Sequence, residues 1–184
     1  MRVIAGTARG VPLVAPRDPG TRPITDRVKE TLFGILGGRV PDARVLDLYA
    51  GSGAIGIEAL SRGAAHATFV ERHRAALAAI RANLEKTRLA EAASVHAAEV
   101  ERFLATPSEA RYDLVVLDPP YAERAILAPL SGLEGLLAPG ATVVVKHFWR
   151  TEVPETPQLV RTRERRFGET MLTFLEQPQP EEAQ

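Results

Sequence analysis

The stretch Val45-Leu46-Asp47-Leu48-Tyr49-Ala50-Gly51-Ser52-Gly53-Ala54-Ile55-Gly56 decides how this chain folds. An apolar run that breaks into Gly-x-Gly and resumes as Ala-Ile-Gly predicts a strand, a tight turn and a helix. Gly51 and Gly53 let the backbone turn sharply and approach a ligand, and Gly56 lets the helix pack close to the strand. The Gly-x-Gly-x-x-Gly spacing alone is shared by binders of nucleotide and non-nucleotide cofactors. Two acids narrow it. Glu71 closes the next apolar run about 20 residues on, placed to accept both hydroxyls of a ribose. Asp47, ahead of the turn, brings negative charge to a phosphate cradle, which disfavours a pyrophosphate. It suits the ammonium and sulfonium of S-adenosylmethionine. The plainer reading is a tight turn that Asp47 caps.

Outward from this segment, apolar strands alternate with helical patterns. Strands are predicted at 43–48, 66–70, 93–97, 112–117 and 141–146, and helices at 54–62, 73–88, 99–105 and 122–137. Near-continuous apolar strands separated by helices imply a parallel sheet covered on both faces. After residue 147 the rhythm changes. Pro154 and Pro157 break any helix, and 158–166 with 169–176 flank Phe167-Gly168 as an antiparallel hairpin. At the other end, Arg2-Val3-Ile4-Ala5 and Val11-Pro12-Leu13-Val14 predict a short hairpin around Gly6 and Gly10, and 15–24 is a loop rich in Pro and Gly. Thr25 can N-cap a helix whose apolar stripe is Val28, Leu32, Ile35 and Leu36, ended by Gly37-Gly38. The expected fold is α/β and Rossmann-like. It has a mostly parallel, doubly wound, seven-stranded sheet, an antiparallel C-terminal hairpin and a small N-terminal hairpin and helix extension. The expected organisation is an extension over 1–24, a main domain over 25–176 and a disordered tail over 177–184.

The 184 residues suffice for one domain with a full core. With no cysteine, disulfides and thiolate chemistry are excluded. The histidines His66, His73 and His96 lack ligand spacing, so no metal is expected. No run approaches a membrane span and the N-terminus lacks a signal-peptide core, which predicts a cytoplasmic protein. Lys+Arg and Asp+Glu each total 23, a balance that argues against indiscriminate polyanion binding. The distribution is uneven. Residues 1–39 hold seven Arg or Lys against three acids, and Arg161, Arg163, Arg165 and Arg166 form a second cluster. Such patches are either phosphate footprints or solvated charge.

A second motif ends the fourth predicted strand: Leu114-Val115-Val116-Leu117 runs into Asp118-Pro119-Pro120-Tyr121. In an open parallel sheet, ligands bind beyond the carboxyl ends of the strands where strand order reverses, and the first and fourth strands are neighbours there. The glycine turn and Asp118 would then face one crevice. An exocyclic amine on a heterocycle is a poor nucleophile because its lone pair is delocalised. The Asp118 carboxylate and the Pro119 carbonyl could hold both amine protons and turn the lone pair toward a methyl donor. Pro120 fixes the backbone and Tyr121 offers a stacking face. A rigid turn with a packed aromatic is the alternative. Glu99, after the third strand, could accept from an adenine amine while the Val100 N–H meets a ring nitrogen, or it is an acid favoured at a helix N-terminus.

With Asp47-x-x-x-Gly51-x-Gly53, Glu71 and Asp118-Pro119-Pro120-Tyr121 in this order, the chain resembles Rossmann-like S-adenosylmethionine-dependent amino-methyltransferases. Arg22-Pro23-Ile24-Thr25-Asp26-Arg27-Val28-Lys29-Glu30-Thr31-Leu32-Phe33, the segment Leu46 to Ala54, and Glu58-Ala59-Leu60-Ser61-Arg62-Gly63-Ala64 are similar to the bacterial small-subunit ribosomal RNA guanine-N2 methyltransferases, the RsmD-like family. The likeness spans residues 2 to about 176. It implies methylation of the N2 amine of a guanine in 16S ribosomal RNA, within an assembling small subunit, by a monomer. Asp118, Pro119, Pro120 and Tyr121 are implied as target-base residues. Asp47, Tyr49, Ala50, Gly51, Ser52, Gly53, Gly56, Glu71, Arg72, Glu99 and Val100 are implied as cofactor residues. The family often has Asp or Asn where this chain has Glu99, and often ends its fifth strand in an acid where this chain has Val145-Lys146-His147.

The segment Lys146-His147-Phe148-Trp149-Arg150 interleaves cations with aromatics, a composition suited to stacking and phosphate contact in single-stranded RNA. Phe148 and Trp149 could equally cap the core. Arg9, Arg22, Arg27 and Lys29 are the expected phosphate contacts. Competing readings are an amino-methyltransferase acting on DNA bases or protein glutamine, and an NAD-dependent oxidoreductase built on the same glycine turn.

Overall fold

The computed structural model describes residues 1–16, 24–119 and 127–177. The strands are β1 (Arg44–Leu48), β2 (His66–Glu71), β3 (Ala93–Ala97), β4 (Tyr112–Leu117), β5 (Leu137–Phe148), β6 (Val160–Phe167) and β7 (Thr170–Glu176). The helices are α1 (Asp26–Leu36), α2 (Ala54–Ser61), α3 (Arg74–Thr87), α4 (Val100–Leu104) and α5 (Leu127–Ser131). One seven-stranded sheet runs in the order β3-β2-β1-β4-β5-β7-β6. The first five strands are parallel, and β7 joins them antiparallel between β5 and β6. This is the doubly wound Rossmann-like arrangement expected from the alternation of strands and helices.

Two cores explain why the strands read as unbroken apolar runs. Val45, Phe69, Val116 and Val144 pack on one face with α1, α2 and α3. Leu46, Val70, Val115, Leu117, Val143 and Val145 pack on the other with Val100, Leu130 and Leu133. Side chains alternate along each strand, and both faces are covered. The helix expected over 122–137 is corrected. Residues 122–126 lie outside the described part, the helix ends at Ser131, and Leu137 already belongs to β5. Leu130, Leu133 and Leu136 keep helical spacing, but Gly132 and Gly135 each weaken a helix by about 1 kcal/mol. β5 correspondingly starts four residues before the expected Ala141, and its pairing with β4 shifts between Tyr112 and Leu114.

The N-terminal hairpin is present in reduced form. One bridge joins Arg2 and Pro12, and Val3 exchanges backbone bonds with Val11 (3.0 Å) and Gly10 (2.9 Å). Its anchor is Glu58 on α2, fully buried, which accepts from the amides of Ile4 (2.8 Å) and Ala5 (2.9 Å). Arg62 Nε (2.8 Å) and Lys29 Nζ (3.1 Å) complete the carboxylate's surroundings. The hairpin tip lies against the end of α2, where Thr7 N–H donates to the Ser61 carbonyl (2.8 Å). A Cβ on Gly6 would sit 1.6 Å from that carbonyl oxygen, so only glycine fits there. The expected tail falls almost wholly outside the described residues, which end at Gln177.

Candidate active site

Strand order reverses between β1 and β4, and both candidate motifs meet there. Leu48 and Leu117 are register partners, and the Asp118 N–H donates to the Leu48 carbonyl at 3.3 Å. Two residues beyond Val45, Phe69, Val116 and Val144, which share one face, come Asp47, Glu71, Asp118 and Lys146. Period-two alternation therefore directs these four charged side chains to the same face of the sheet's carboxyl rim.

The glycine turn has the backbone that the sequence required. Gly51 and Gly53 take φ of 56° and 75°, in the left-handed region that favours glycine. A Cβ on Gly56 would come within 2.3 Å of the Phe69 ring, so its absence sets how closely α2 approaches the sheet. Tyr49 shares the left-handed conformation at φ 59° without a glycine's freedom, and its hydroxyl donates to Glu101 Oε1 at 3.2 Å. Such strain gathers at ligand clamps. Ala50 is buried, while Ser52 is half-buried, and its carbonyl accepts from Asn83 Nδ2 (2.9 Å).

Asp47 is 1 % exposed and accepts from the Gly56 N–H at 3.0 Å, capping the first turn of α2. Burial pushes its carboxyl up to about 8. The Gly56 bond opposes this, and the neighbouring Asp118 and Glu71 charges reinforce it. Glu71 is buried and bonds the Gly51 N–H (2.9 Å) through one oxygen and the Arg72 and His73 amides (both 2.8 Å) through the other. It thus ties the glycine turn to the end of β2. Arg72 reaches across to Glu99 at 3.0 Å, both partly exposed, and Val100 is buried at the start of α4.

Asp118 stands at the β4 end with one oxygen, Oδ1, held by Lys146 Nζ at 2.6 Å. Burial raises its carboxyl above the usual range, and the Lys146 charge and hydrogen bond pull it back down. Pro119 is buried. Pro120 and Tyr121 lie outside the described residues, as does Arg22. His147, next to Lys146, turns to the opposite face, with Nε2 2.8 Å from Thr173 Oγ1. Beyond it, the guanidinium carbons of Arg166 and Arg150 lie 3.8 and 4.6 Å from the Trp149 ring centroid, and Phe148 is 6.1 Å away at its own centroid.

The expected RNA contacts separate on inspection. Arg27 is exposed on α1 and Arg9 is exposed at the hairpin tip. The tip is at the far end of α2 from the glycine turn. Lys29 is corrected: it is fully buried, bonded to Glu58 and, at 2.5 Å, to the Arg2 carbonyl, so it cannot meet a phosphate. Two buried polar residues hold the N-terminal segment in ways the sequence pattern did not assign. Glu58 is one of them. The other is Asn83, fully buried on α3, whose amide pairs with both backbone groups of Val14 (2.7 and 2.9 Å) as well as with Ser52. Asn83 continues the buried stripe Ala76, Ile80 and Leu84, so an amide in an apolar helical stripe was the available signal.

Three buried or half-buried carboxyls, Asp47, Glu71 and Asp118, gather at the carboxyl rim beside the glycine turn, with Lys146 among them. That donor set fits a ligand carrying positive charge better than a pyrophosphate, and it fits S-adenosylmethionine. A pH dependence follows. If the cofactor's cation lies beside Asp47 it stabilises the ionised form, and binding then releases the proton of a carboxyl that burial pushes up to about 8. Cofactor affinity should rise between pH 6 and 8, by at most about tenfold per unit, and level off above that. Calorimetric titration at several pH values checks this, and Asp47→Asn should flatten the profile. Among the described residues, no group of three or more acids and histidines could hold a metal ion, and no helix is long and apolar enough to cross a membrane.

Comparison with known proteins bears on the family and the fold. YlbH of Bacillus subtilis (strain 168), provisionally named an rRNA methyltransferase, is 40% identical over 175 residues, covering 92% of this chain and 95% of that protein. Ribosomal RNA small subunit methyltransferase D of Escherichia coli (strain K12) is 39% identical over 159 residues, covering 85% and 79%. The solved structure of yhhF from Escherichia coli, provisionally described as a methyltransferase, superposes with a TM-score of 0.85 at 36% identity, covering 96% of this chain and 97% of that one. The fold is thus that of the Rossmann-like methyltransferases. The family described as Conserved hypothetical protein 95 matches residues 1–176, and the chain belongs to it.

Proposed function

We propose that this protein transfers the methyl group of S-adenosylmethionine to the exocyclic N2 amine of a guanine in 16S ribosomal RNA, with the assembling small subunit as its partner. Ribosomal RNA methylation rests on the curated relatives, and the N2 amine is inferred from the Asp118 site. The observation that carries it is Asp118, bonded through its backbone to the end of β1 and so set beside the glycine turn. Asp47 and Glu71 hold the cofactor's cationic and ribose groups. Glu99 and Val100 take the adenine, at the site Arg72 now spans.

When bound, S-adenosylmethionine supplies an electrophilic methyl group on a sulfonium that leaves as a neutral thioether. Asp118 and the Pro119 carbonyl accept the two amine protons and orient the nitrogen lone pair along the line of attack. As the N–C bond forms, the nitrogen becomes cationic, and the Asp118 carboxylate stabilises that charge and takes one proton on its way to water. Rate enhancement comes from alignment and electrostatics rather than from a nucleophilic side chain. Pro120 and Tyr121 complete the base site.

The target base leaves its stack to reach Asp118. Arg9, Arg22 and Arg27 contact RNA phosphates, and Phe148 and Trp149 offer stacking faces, with Arg150 and Arg166 at the Trp149 ring. Trp149→Ala should therefore raise KM for RNA about tenfold, within the range of one base–aromatic stack, and leave cofactor affinity unchanged.

Labelled methyl transfer to undermethylated small subunits, naked RNA, DNA and protein tests the reading. N2-methylguanosine as the labelled product supports it. Label in a DNA base or in glutamine replaces it with the corresponding amino-methyltransferase. Tight NAD binding without S-adenosylmethionine binding sinks it altogether.

A further inference from the structure

We infer that Lys146 is a positioning residue for methyl transfer, holding Oδ1 of Asp118 so that the second carboxylate oxygen is left for the target amine. This rests on the proposed amine-methylating role of Asp118. Leu117 and Val145 are register partners, so the residues that follow them, Asp118 and Lys146, emerge side by side at the rim. The 2.6 Å contact has the length of a charge-assisted bond. Lys146 is only 6 % exposed, it follows three buried valines, and its own cross-strand partner is Leu172. An apolar side chain would fill that place at lower desolvation cost, so packing does not account for a lysine there.

The consequence for Asp118 is electrostatic as well as geometric. The groups facing it are Asp47 from β1, Glu71 at the end of β2 through Asp47, and Lys146 from β5. Burial is what raises the Asp118 carboxyl. Lys146 is what opposes protonation, and a protonated Asp118 presents a donor where the amine needs an acceptor.

The test is a carbon-13 titration of labelled aspartates in the full chain, with the Asp118 signal assigned by its loss in Asp118→Asn. It is combined with single-turnover transfer measured across pH for wild type, Lys146→Met, Lys146→Gln and Lys146→Arg. In Lys146→Met the Asp118 midpoint should rise by about one pH unit or more, and the acid limb of the rate profile should follow it. Transfer at pH 7 should fall about tenfold or more and recover above the new midpoint, with cofactor Kd within about threefold of wild type. Lys146→Arg should restore most of the rate, and Lys146→Gln serves in its place if the methionine variant does not fold. A folded neutral variant with an unmoved Asp118 midpoint, or with an equal rate loss at every pH, overturns the inference. If wild type methylates no RNA, the proposed function fails, while the aspartate titration still decides whether Lys146 governs Asp118.

Discussion

Asp118→Ala is expected to lower methyl transfer about a thousandfold while cofactor Kd changes by less than about threefold, the pattern of an acceptor used only on the target amine. In the proposed mechanism Asp118 contributes one of two acceptors for the amine, and its charge faces the nitrogen that turns cationic. The proposed cofactor contacts lie elsewhere, on Asp47, Glu71 and the glycine turn. Asp118→Asn should be nearly as damaging. Lys146 donates to whichever oxygen stands at Oδ1, so the single amide oxygen is drawn to it and the amide NH2 is left facing the base as a donor. Single-turnover kinetics beside isothermal titration separates the two quantities. Near-full turnover in either variant would remove Asp118 from the reaction.

Lys29→Met should cost about 3 kcal/mol of stability and lower Tm by about 6–12 °C, because the ion pair it breaks is fully buried on both sides. Glu58 keeps the Ile4 and Ala5 amides and Arg62 but loses its buried cation. Two positions earlier on the same helix, Arg27→Ala should change stability by less than about 0.5 kcal/mol while weakening RNA binding and reducing its salt slope by about one. Thermal melts with salt-dependent RNA binding check both. A melt of Lys29→Met within 2 °C or so of wild type would mean that the buried pair is not what moors the hairpin.

The contrast between Arg27 and Lys29 marks how far residue patterns reach. Both are cations in one basic segment, and nothing local distinguishes them. What buries Lys29 is Glu58, which stands alone among apolar neighbours on α2 and meets α1 only in three dimensions. The strand positions were legible because each apolar run is bounded by polar residues or glycine, and both faces of the sheet need filling. The stretch 132–136 was not, since leucines at helical spacing also suit turns interrupted by Gly132 and Gly135. For Asp47 the capping reading is the one the structure shows, as the carboxyl accepts from the Gly56 N–H at the start of α2. The Asp118–Lys146 pair could be read only once β4 and β5 were in register, because strand pairing, unlike strand position, is a property of two distant segments.

The mooring of the hairpin also sets an order of events during synthesis. Ile4, Ala5 and Ala8 bond to Glu58 and Ser61, and Val14 bonds to Asn83, at separations of 53 to 69 residues. On the ribosome, the segment at residues 3–14 therefore leaves the exit tunnel well before any of its partners exists. It must wait as an unstructured leader until α2 and then α3 have emerged, and only then can it close onto them. Chain elongation at about 5–20 residues per second makes that wait several seconds, during which Val3, Leu13 and their neighbours stay open to chaperones. The N-terminal element thus closes only after α2 and α3 have emerged, although it is made before either of them.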